Sequence, residues 1–339
     1  MAIHLVTGAR GVLGRVLTLK LFSKGLNVRT LDLFYEPSFP KDVEQIVGDI
    51  RDPETCSRAV SGVEVVHHLA ARMPQWGILG EKTLYEINVV GTRNLLSASI
   101  KAGVRRFIFA STAEIYGAQE KYPLYEDDEK LFTGAYSRNK WECEQMLFSY
   151  DRKGMIEGVA LRMPMIFGPG FYHERSILLL FDLVRLNLPV ILTANGNAPF
   201  SCVHVEDAAD AFVLSAEVQE AKGKSFNIAT RTAPPVSEVL RKFIRQVGSR
   251  SILIPFPLPL LRIMIRVILL LSRFLPLVYT PTELIPFALT GGWYSIERAE
   301  KLLGYNPRYE PVECLVQTYR WYCYERKRSY DERRLHGLP

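Results

Sequence analysis

Short apolar runs alternate with stretches of helical periodicity from the first residues onward, and this alternation constrains the fold more than any other feature. Residues 3–7 (Ile-His-Leu-Val-Thr) read as a strand, followed by strands at Val28–Asp32, Gln45–Gly48, Val63–Ala70 and Arg106–Ser111. Helical patterns fill the gaps near 12–24, 53–61 and 82–102, the last closed by Gly103, a residue type that commonly ends helices. A helix at 137–153, a strand at 157–162 and strand-like segments near 189–193 and 225–228 continue the series. Strands separated by helices of this length join through right-handed crossovers into a parallel sheet. After Thr230 the alternation weakens and helix dominates. The expected fold class is α/β: a doubly wound parallel sheet with a smaller, mainly helical C-terminal part.

The 339 residues suffice for two domains or one large unit. With 48% hydrophobic and 23% charged residues, the composition is globular rather than disordered. The net charge of +6 is uneven, because residues 241–339 hold 16 Lys and Arg against 8 Asp and Glu. A basic C-terminal third suits an anionic surface, but no basic platform interleaved with aromatics supports nucleic acid as a partner. Cys56, Cys143, Cys202, Cys314 and Cys323 are scattered and never form a CxxC pair. That spacing argues for reduced thiols and against a metal site or a disulfide framework. The opening Met-Ala-Ile-His-Leu-Val-Thr-Gly reads as a buried strand rather than a leader, so a cytoplasmic location is expected.

Directly after the first strand comes Thr7-Gly8-Ala9-Arg10-Gly11-Val12-Leu13-Gly14, and a helix follows at once. Glycines there permit a tight turn and let the backbone approach a pyrophosphate, while the helix N-terminus supplies N–H donors. Asp32 ends the second strand, 18 residues after Gly14. Its carboxylate would accept hydrogen bonds from an adenosine ribose and repel a 2′-phosphate, favouring NAD over NADP. Arg10, in the loop itself, could tolerate that phosphate. Asp49 and Ile50 follow the third strand, and Leu69, Ala70 and Ala71 end the fourth. All lie along the carboxyl ends of successive strands, where open α/β sheets bind ligands.

The fifth strand leads into Ser111-Thr112-Ala113-Glu114-Ile115-Tyr116-Gly117, and Tyr136-Ser137-Arg138-Asn139-Lys140 begins 24 residues after Thr112. A tyrosine and a lysine four apart share one helix face. An ammonium beside the phenol lowers its pKa toward the working range of an acid/base, and Thr112 could hold a substrate oxygen beside it.

With these pieces the chain resembles the extended short-chain dehydrogenase/reductases, the superfamily of NAD-dependent epimerases and dehydratases. Matching segments are Thr7–Gly14, Asp32, Gly48–Asp52, Leu69–Ala71, Asn88–Asn94, Ser111–Gly117 and Tyr136–Lys140. Leu161–Pro164, Gly168–Gly170, Val203–Asp207, Phe226–Ile228 and Ala299–Pro307 match as well. The resemblance implies an oxidoreductase using NAD, with Thr112, Tyr136 and Lys140 as catalytic trio, Tyr136 and Lys140 also binding the cofactor (Lys140 at the ribose), Asn88 as structural anchor and Pro164 against the nicotinamide. It implies a dinucleotide domain over 1–171 to which 201–229 return. Substrate-binding regions would be 172–200 and 230–325, with a basic tail at 326–339. Homodimers pairing the helices at 82–102 and 137–153 would also fit it.

Sugar-nucleotide members of the family use arginines against a diphosphate. Here the corresponding stretches read Ala198-Pro199-Phe200-Ser201-Cys202 and 285–292, both uncharged. The pattern is closest to the 3β-hydroxysteroid and sterol dehydrogenase branch. It leads to a secondary alcohol or ketone on a lipophilic, sterol-like substrate near Phe200, with decarboxylation following where a β-keto acid forms. Against this, Thr112-Ala113-Glu114 resembles the Thr-x-Glu of nucleotide-sugar decarboxylases and dehydratases. An epimerase, dehydratase or decarboxylase with Glu114 at the substrate is therefore the alternative. Segment 252–278 is apolar except for Ser272 and Arg262, Arg266 and Arg273, which as a helix fall within roughly 40° of arc. Central arginines disfavour a membrane span. Two readings remain, a peripheral membrane contact reinforced by the basic tail and a buried lid.

Overall fold

The computed structural model describes residues 2–73, 80–119, 121–171, 174–192, 196–257, 263 and 291–335, with side chains through 327. Its strands are β1 (Ile3–Thr7), β2 (Asn27–Asp32), β3 (Glu44–Val47), β4 (Val63–His68), β5 (Arg106–Thr112), β6 (Glu157–Met163), β7 (Ile166–Phe167), β8 (Val190–Leu192), β9 (Val203–His204), β10 (Lys224–Asn227) and β11 (Leu253–Pro255). The helices are α1 (Val12–Ser23), α2 (Pro53–Val60), α3 (Glu81–Tyr85), α4 (Gly91–Lys101), α5 (Ala135–Arg152), α6 (Arg175–Arg185), α7 (Val205–Glu217), α8 (Val236–Gln246), α9 (Glu297–Leu303) and α10 (Pro311–Leu335).

Seven strands form one sheet in the order β10-β6-β5-β4-β1-β2-β3, and every pairing in it is parallel. The expected doubly wound sheet is thus present. Its order reverses between β1 and β4, which opens a crevice at their carboxyl ends. β5 shows why these strands are nearly uninterrupted apolar runs, since a central parallel strand is covered on both faces. Phe107 and Phe109 point into one core layer with Leu5, Val66 and Leu95. Ile108 and Ala110 point into the other, with Val6, Leu17 and Phe212. Helices α2 and α4 pack together on the first side, α1 and α7 on the second.

A third core joins α6, α8 and α10 through Phe181, Phe243 and Leu315, beside the two-stranded pairs β8/β11 and β7/β9. This is the helical C-terminal part. Tyr294, Ile296, Ala299, Leu303 and Tyr305, within the 230–325 region, pack into the α1/α7 core with Val203 and Phe226. The basic stretch from 326 continues α10 as far as residue 335, and Arg326 pairs with Asp182 and lies 5.6 Å from the Tyr322 ring.

Three local differences follow from tertiary contacts. β4 stops at His68, level with its partner Thr7 in β1, rather than at Ala70. The helix expected over 82–102 carries a π turn at Glu86–Val90 between α3 and α4, a widening that a 3.6-residue periodicity does not register. α5 begins at Ala135, two residues before the expected start, which brings Tyr136 onto the helix. Segment 258–290, apart from Ile263, lies outside the described residues, and with it Arg262, Arg266 and Arg273. Among the described residues no helix is long and apolar enough to cross a membrane.

Candidate active site

The glycine loop turns at Gly8, where φ is +68°, a left-handed geometry that glycine adopts without a Cβ clash. A Cβ there would stand 2.8 Å from the Ala70 nitrogen, and one at Gly14 would stand 2.2 Å from the Gly8 oxygen. Both glycines are thus required by backbone contacts. Gly11 caps α1 with no side-chain hydrogen bond, and the first turn contains no acid. The amides of a helix start therefore face the crevice with no carboxylate competing for them, which suits an anionic pyrophosphate. Val12 is half-buried at this start, and Leu13 is buried in the core beneath it.

Asp32 closes the neighbouring strand. Its Oδ2 accepts the Arg10 backbone N–H at 2.9 Å and its Oδ1 that of Leu33 at 2.8 Å. The carboxylate is thereby fixed at the loop, partly exposed, where a ribose diol would reach it. Asp49 is half-buried, but Arg51 chelates it: Oδ2 accepts from Nη2 at 2.6 Å and Nε at 2.9 Å. Hydrogen bonds from Arg51 hold this carboxyl below its usual range. An adenine amine would share that carboxylate with a cation two residues away. Ile50 is buried, with its Cδ1 2.6 Å from where a Cβ on Gly91 would lie, so it packs closely against that glycine.

Leu69, Ala70 and Ala71 lie half-buried at the end of β4 and are tied down by a directed chain of hydrogen bonds. The Ala70 N–H donates to Thr7 Oγ1 at 3.2 Å, and Thr7 Oγ1 lies 2.7 Å from His68 Nδ1. His68 Nε2 lies 2.8 Å from Thr92 Oγ1, whose hydroxyl donates to the Asn88 carbonyl at 2.6 Å. Because Thr92 spends its proton on that carbonyl, His68 Nε2 must be the N–H and Nδ1 the acceptor. Burial, aided by the charge of Lys140, pushes His68 down to about 3, which keeps the ring neutral and this polarity fixed. The Asn88 side chain clamps Arg72, accepting from its N–H at 2.7 Å and donating to its carbonyl at 2.8 Å.

On the other side of the crevice, β5 ends at Thr112. Its Oγ1 accepts the Glu114 N–H at 3.2 Å, capping the short 3₁₀ turn Ala113–Tyr116. The hydroxyl proton of Thr112 is left to donate. Glu114 is half-buried in that turn, and its charge joins burial in raising the Tyr294 phenol. α5 packs on both β5 and this turn. Its start is fixed by Ser137, whose hydroxyl donates to the Gly134 carbonyl at 3.0 Å. Tyr136 and Lys140 are both buried on α5. Lys140 Nζ donates to the Ala110 carbonyl at 2.8 Å and lies 5.8 Å from the Tyr136 ring centroid. Burial pulls Lys140 down to about 8, against the opposing pull of Cys143 and Glu144.

Beneath this pair lies a network the sequence reading did not assign. Glu144, one turn beyond Lys140, receives the Ser111 hydroxyl and forms a 2.7 Å ion pair with Arg162 of β6. Arg162 also donates to the Tyr116 hydroxyl at 2.9 Å and the Glu126 carbonyl at 2.7 Å, and Tyr116 donates to Asn227 at 2.7 Å. The available signal was an arginine inside an apolar strand, which requires a partner once buried.

Pro164 follows β6, half-buried, leading into β7. Phe200 is half-buried with its ring 6.1 Å from Phe167, which stacks on Phe171 at 5.1 Å. The Gly292 N–H donates to the Pro199 carbonyl at 2.9 Å, so this glycine, at the end of the second uncharged stretch, meets the first. Among the described residues no cluster of His, Cys, Asp or Glu could hold a metal ion.

A bare helix start beside a strand-end aspartate, facing a Tyr/Lys helix, defines a site of the extended short-chain dehydrogenase/reductase type. The model of the NAD dependent epimerase/dehydratase family matches residues 4–229, and the chain belongs to that family. It is accordingly an NAD-dependent enzyme acting on CH–OH groups. The chain is similar to the 2-alkyl-3-oxoalkanoate reductase of Stenotrophomonas maltophilia, at 28% identity over 327 residues covering 90% of this chain and 94% of that one. It is similar to a UDP-glucose 4-epimerase of Rhizobium leguminosarum bv. trifolii, at 30% identity over 276 residues, 75% of this chain and 83% of the other. Among solved structures, the epimerase Mth375 of Methanothermobacter thermautotrophicus shares the fold with a TM-score of 0.78 and 24% identity, covering 96% of this chain and 93% of that one.

Proposed function

We propose that the protein interconverts a secondary alcohol and a ketone on a lipophilic substrate, with an acyl chain or ring system against Phe200. That partly exposed ring in an uncharged stretch is the observation that carries the reading. Phe200 lies within Ala198–Cys202, backed by the buried Phe167 and Phe171, where a diphosphate would call for arginine. The Stenotrophomonas reductase, by its name a β-keto acid enzyme, supports a substrate of that class ahead of a sterol.

NAD supplies the hydride acceptor when bound, held by the amides at Gly11–Leu13, by Asp32 and by the Leu69–Ala71 edge. Tyr136 takes the hydroxyl proton in oxidation and returns it in reduction. The Lys140 ammonium, placed between the Ala110 carbonyl and the Tyr136 ring, favours the phenolate. Thr112 donates its hydroxyl proton to the substrate oxygen, while the bond its oxygen accepts from the Glu114 amide holds the side chain in place. A β-keto acid product could lose its carboxylate with no further catalytic group.

The second reading is a nucleotide-sugar epimerase, dehydratase or decarboxylase with Glu114 at the substrate. It is favoured by the similarity to the Rhizobium UDP-glucose 4-epimerase. Incubating the protein and NAD with a 2-alkyl-3-hydroxyalkanoate, a 3β-hydroxysteroid or UDP-glucose separates the two. NADH formation with either lipophilic alcohol supports the proposal, and conversion of UDP-glucose alone refutes it.

A peripheral membrane contact through 252–278 and the basic end of α10 is a further proposal. Exposed Ile252 and Ile254 at its start support it. Pelleting with anionic vesicles is the expected result, and a protein left in the supernatant would contradict it.

A further inference from the structure

Glu36 lies four residues beyond Asp32, in the loop after β2, and its side chain is buried while holding two arginines. Oε2 accepts from Arg10 Nε at 3.3 Å and pairs with Arg15 Nη2. Oε1 accepts the Ser38 hydroxyl at 2.7 Å, and the Glu36 N–H donates to Gln45 Oε1 at 2.8 Å. Burial would raise this carboxyl, but the hydrogen bonds from Ser38 and the charge of Arg15 outweigh it and keep it ionised.

Arg10 also belongs to the glycine loop, and its backbone N–H is the donor that fixes Asp32. Asp32, Glu36, Arg10 and Arg15 thus form a cluster of two carboxylates and two guanidiniums at the place where an adenosine ribose meets the end of β2. A 2′-phosphate is a stronger partner for a guanidinium than a ribose hydroxyl is, so an unoccupied Arg10 or Arg15 would offset the repulsion by Asp32. Neither is unoccupied.

We propose that Glu36 is a specificity-determining residue: by engaging Arg10 and Arg15 it withholds the cations a 2′-phosphate needs and enforces NAD over NADP. The proposal rests on the dinucleotide site built around Gly8–Gly14 and Asp32. Calorimetric titration of the wild type, Glu36→Gln and Glu36→Gln/Arg10→Ala/Arg15→Ala with NAD, NADP, 5′-ADP and 2′,5′-ADP tests it without any turnover. Glu36→Gln retains the Ser38 contact and the side-chain shape. It should tighten NADP and 2′,5′-ADP by ~10-fold, the effect of one added charge-assisted contact, with NAD changed less than ~3-fold. The two alanine substitutions should abolish that gain.

An unchanged NADP-to-NAD ratio in a Glu36→Gln protein with wild-type circular dichroism would overturn the role of Glu36 alone. A wild type that binds neither dinucleotide would overturn the site itself. If Glu36→Gln fails to fold, Arg15→Ala in the wild type decides the question. Its NADP affinity should stay within ~3-fold, and a larger loss would show Arg15 already serving the phosphate.

Discussion

Glu144 and Arg162 form an ion pair at 2.7 Å with both side chains almost fully buried, one helical turn beyond Lys140. The pair joins α5 to β6 across the end of β5, and Ser111, Tyr116, Asn227 and Glu126 complete its hydrogen bonds. Lys140 and Tyr136 lie on the same helix, so Tyr136, the proposed proton carrier, inherits its position from this buried network.

Breaking the pair on one side leaves an uncompensated buried charge. Arg162→Met should therefore cost about 3–5 kcal/mol of stability, read from urea unfolding. A loss below about 1 kcal/mol would mean that the network does not anchor α5.

Lys140 gives a pH dependence of definite sign. Burial holds its pKa to about 8, whereas in the unfolded chain it lies near about 10.4. Between these values the unfolded state binds more protons, so stability gains from this group as pH rises from about 8 to about 10. Below about 8 the cost of the buried ammonium is fully present. Lys140→Met lacks this contribution. The difference in melting temperature, wild type minus variant, should grow across that window, and a flat difference would contradict a depressed lysine.

Asp32→Ala removes the ribose acceptor and the repulsion of a 2′-phosphate together. NAD affinity should fall by ~10-fold or more while NADP changes little, since a lost hydrogen bond to a charged group has that scale. Equal losses for the two dinucleotides in titration would remove Asp32 from the ribose.

Much of the site was legible because its signals are local. The glycine loop, the strand-end Asp32, the Ser111–Thr112 terminus and the Tyr136/Lys140 spacing each follow from neighbours within a few residues. What escaped depends on which strands become neighbours. The Thr7–His68–Thr92 chain needs β1 beside β4, and Glu144–Arg162 needs α5 over β6. The return of Tyr294–Tyr305 to the sheet core likewise has no local sign. Arg51 on Asp49 was within local reach, two residues away, but a carboxylate at a strand end reads first as a ligand group.

In the proposed function Tyr136 moves the substrate proton, while the glycine loop and Asp32 carry most of the hold on NAD. The most direct measurement compares NADH formation from a lipophilic secondary alcohol by wild type and Tyr136→Phe, with NAD affinity titrated in both. Turnover should fall ~10²-fold or more, with NAD affinity within ~3-fold of wild type. A folded Tyr136→Phe protein that turns over at the wild-type rate would contradict it.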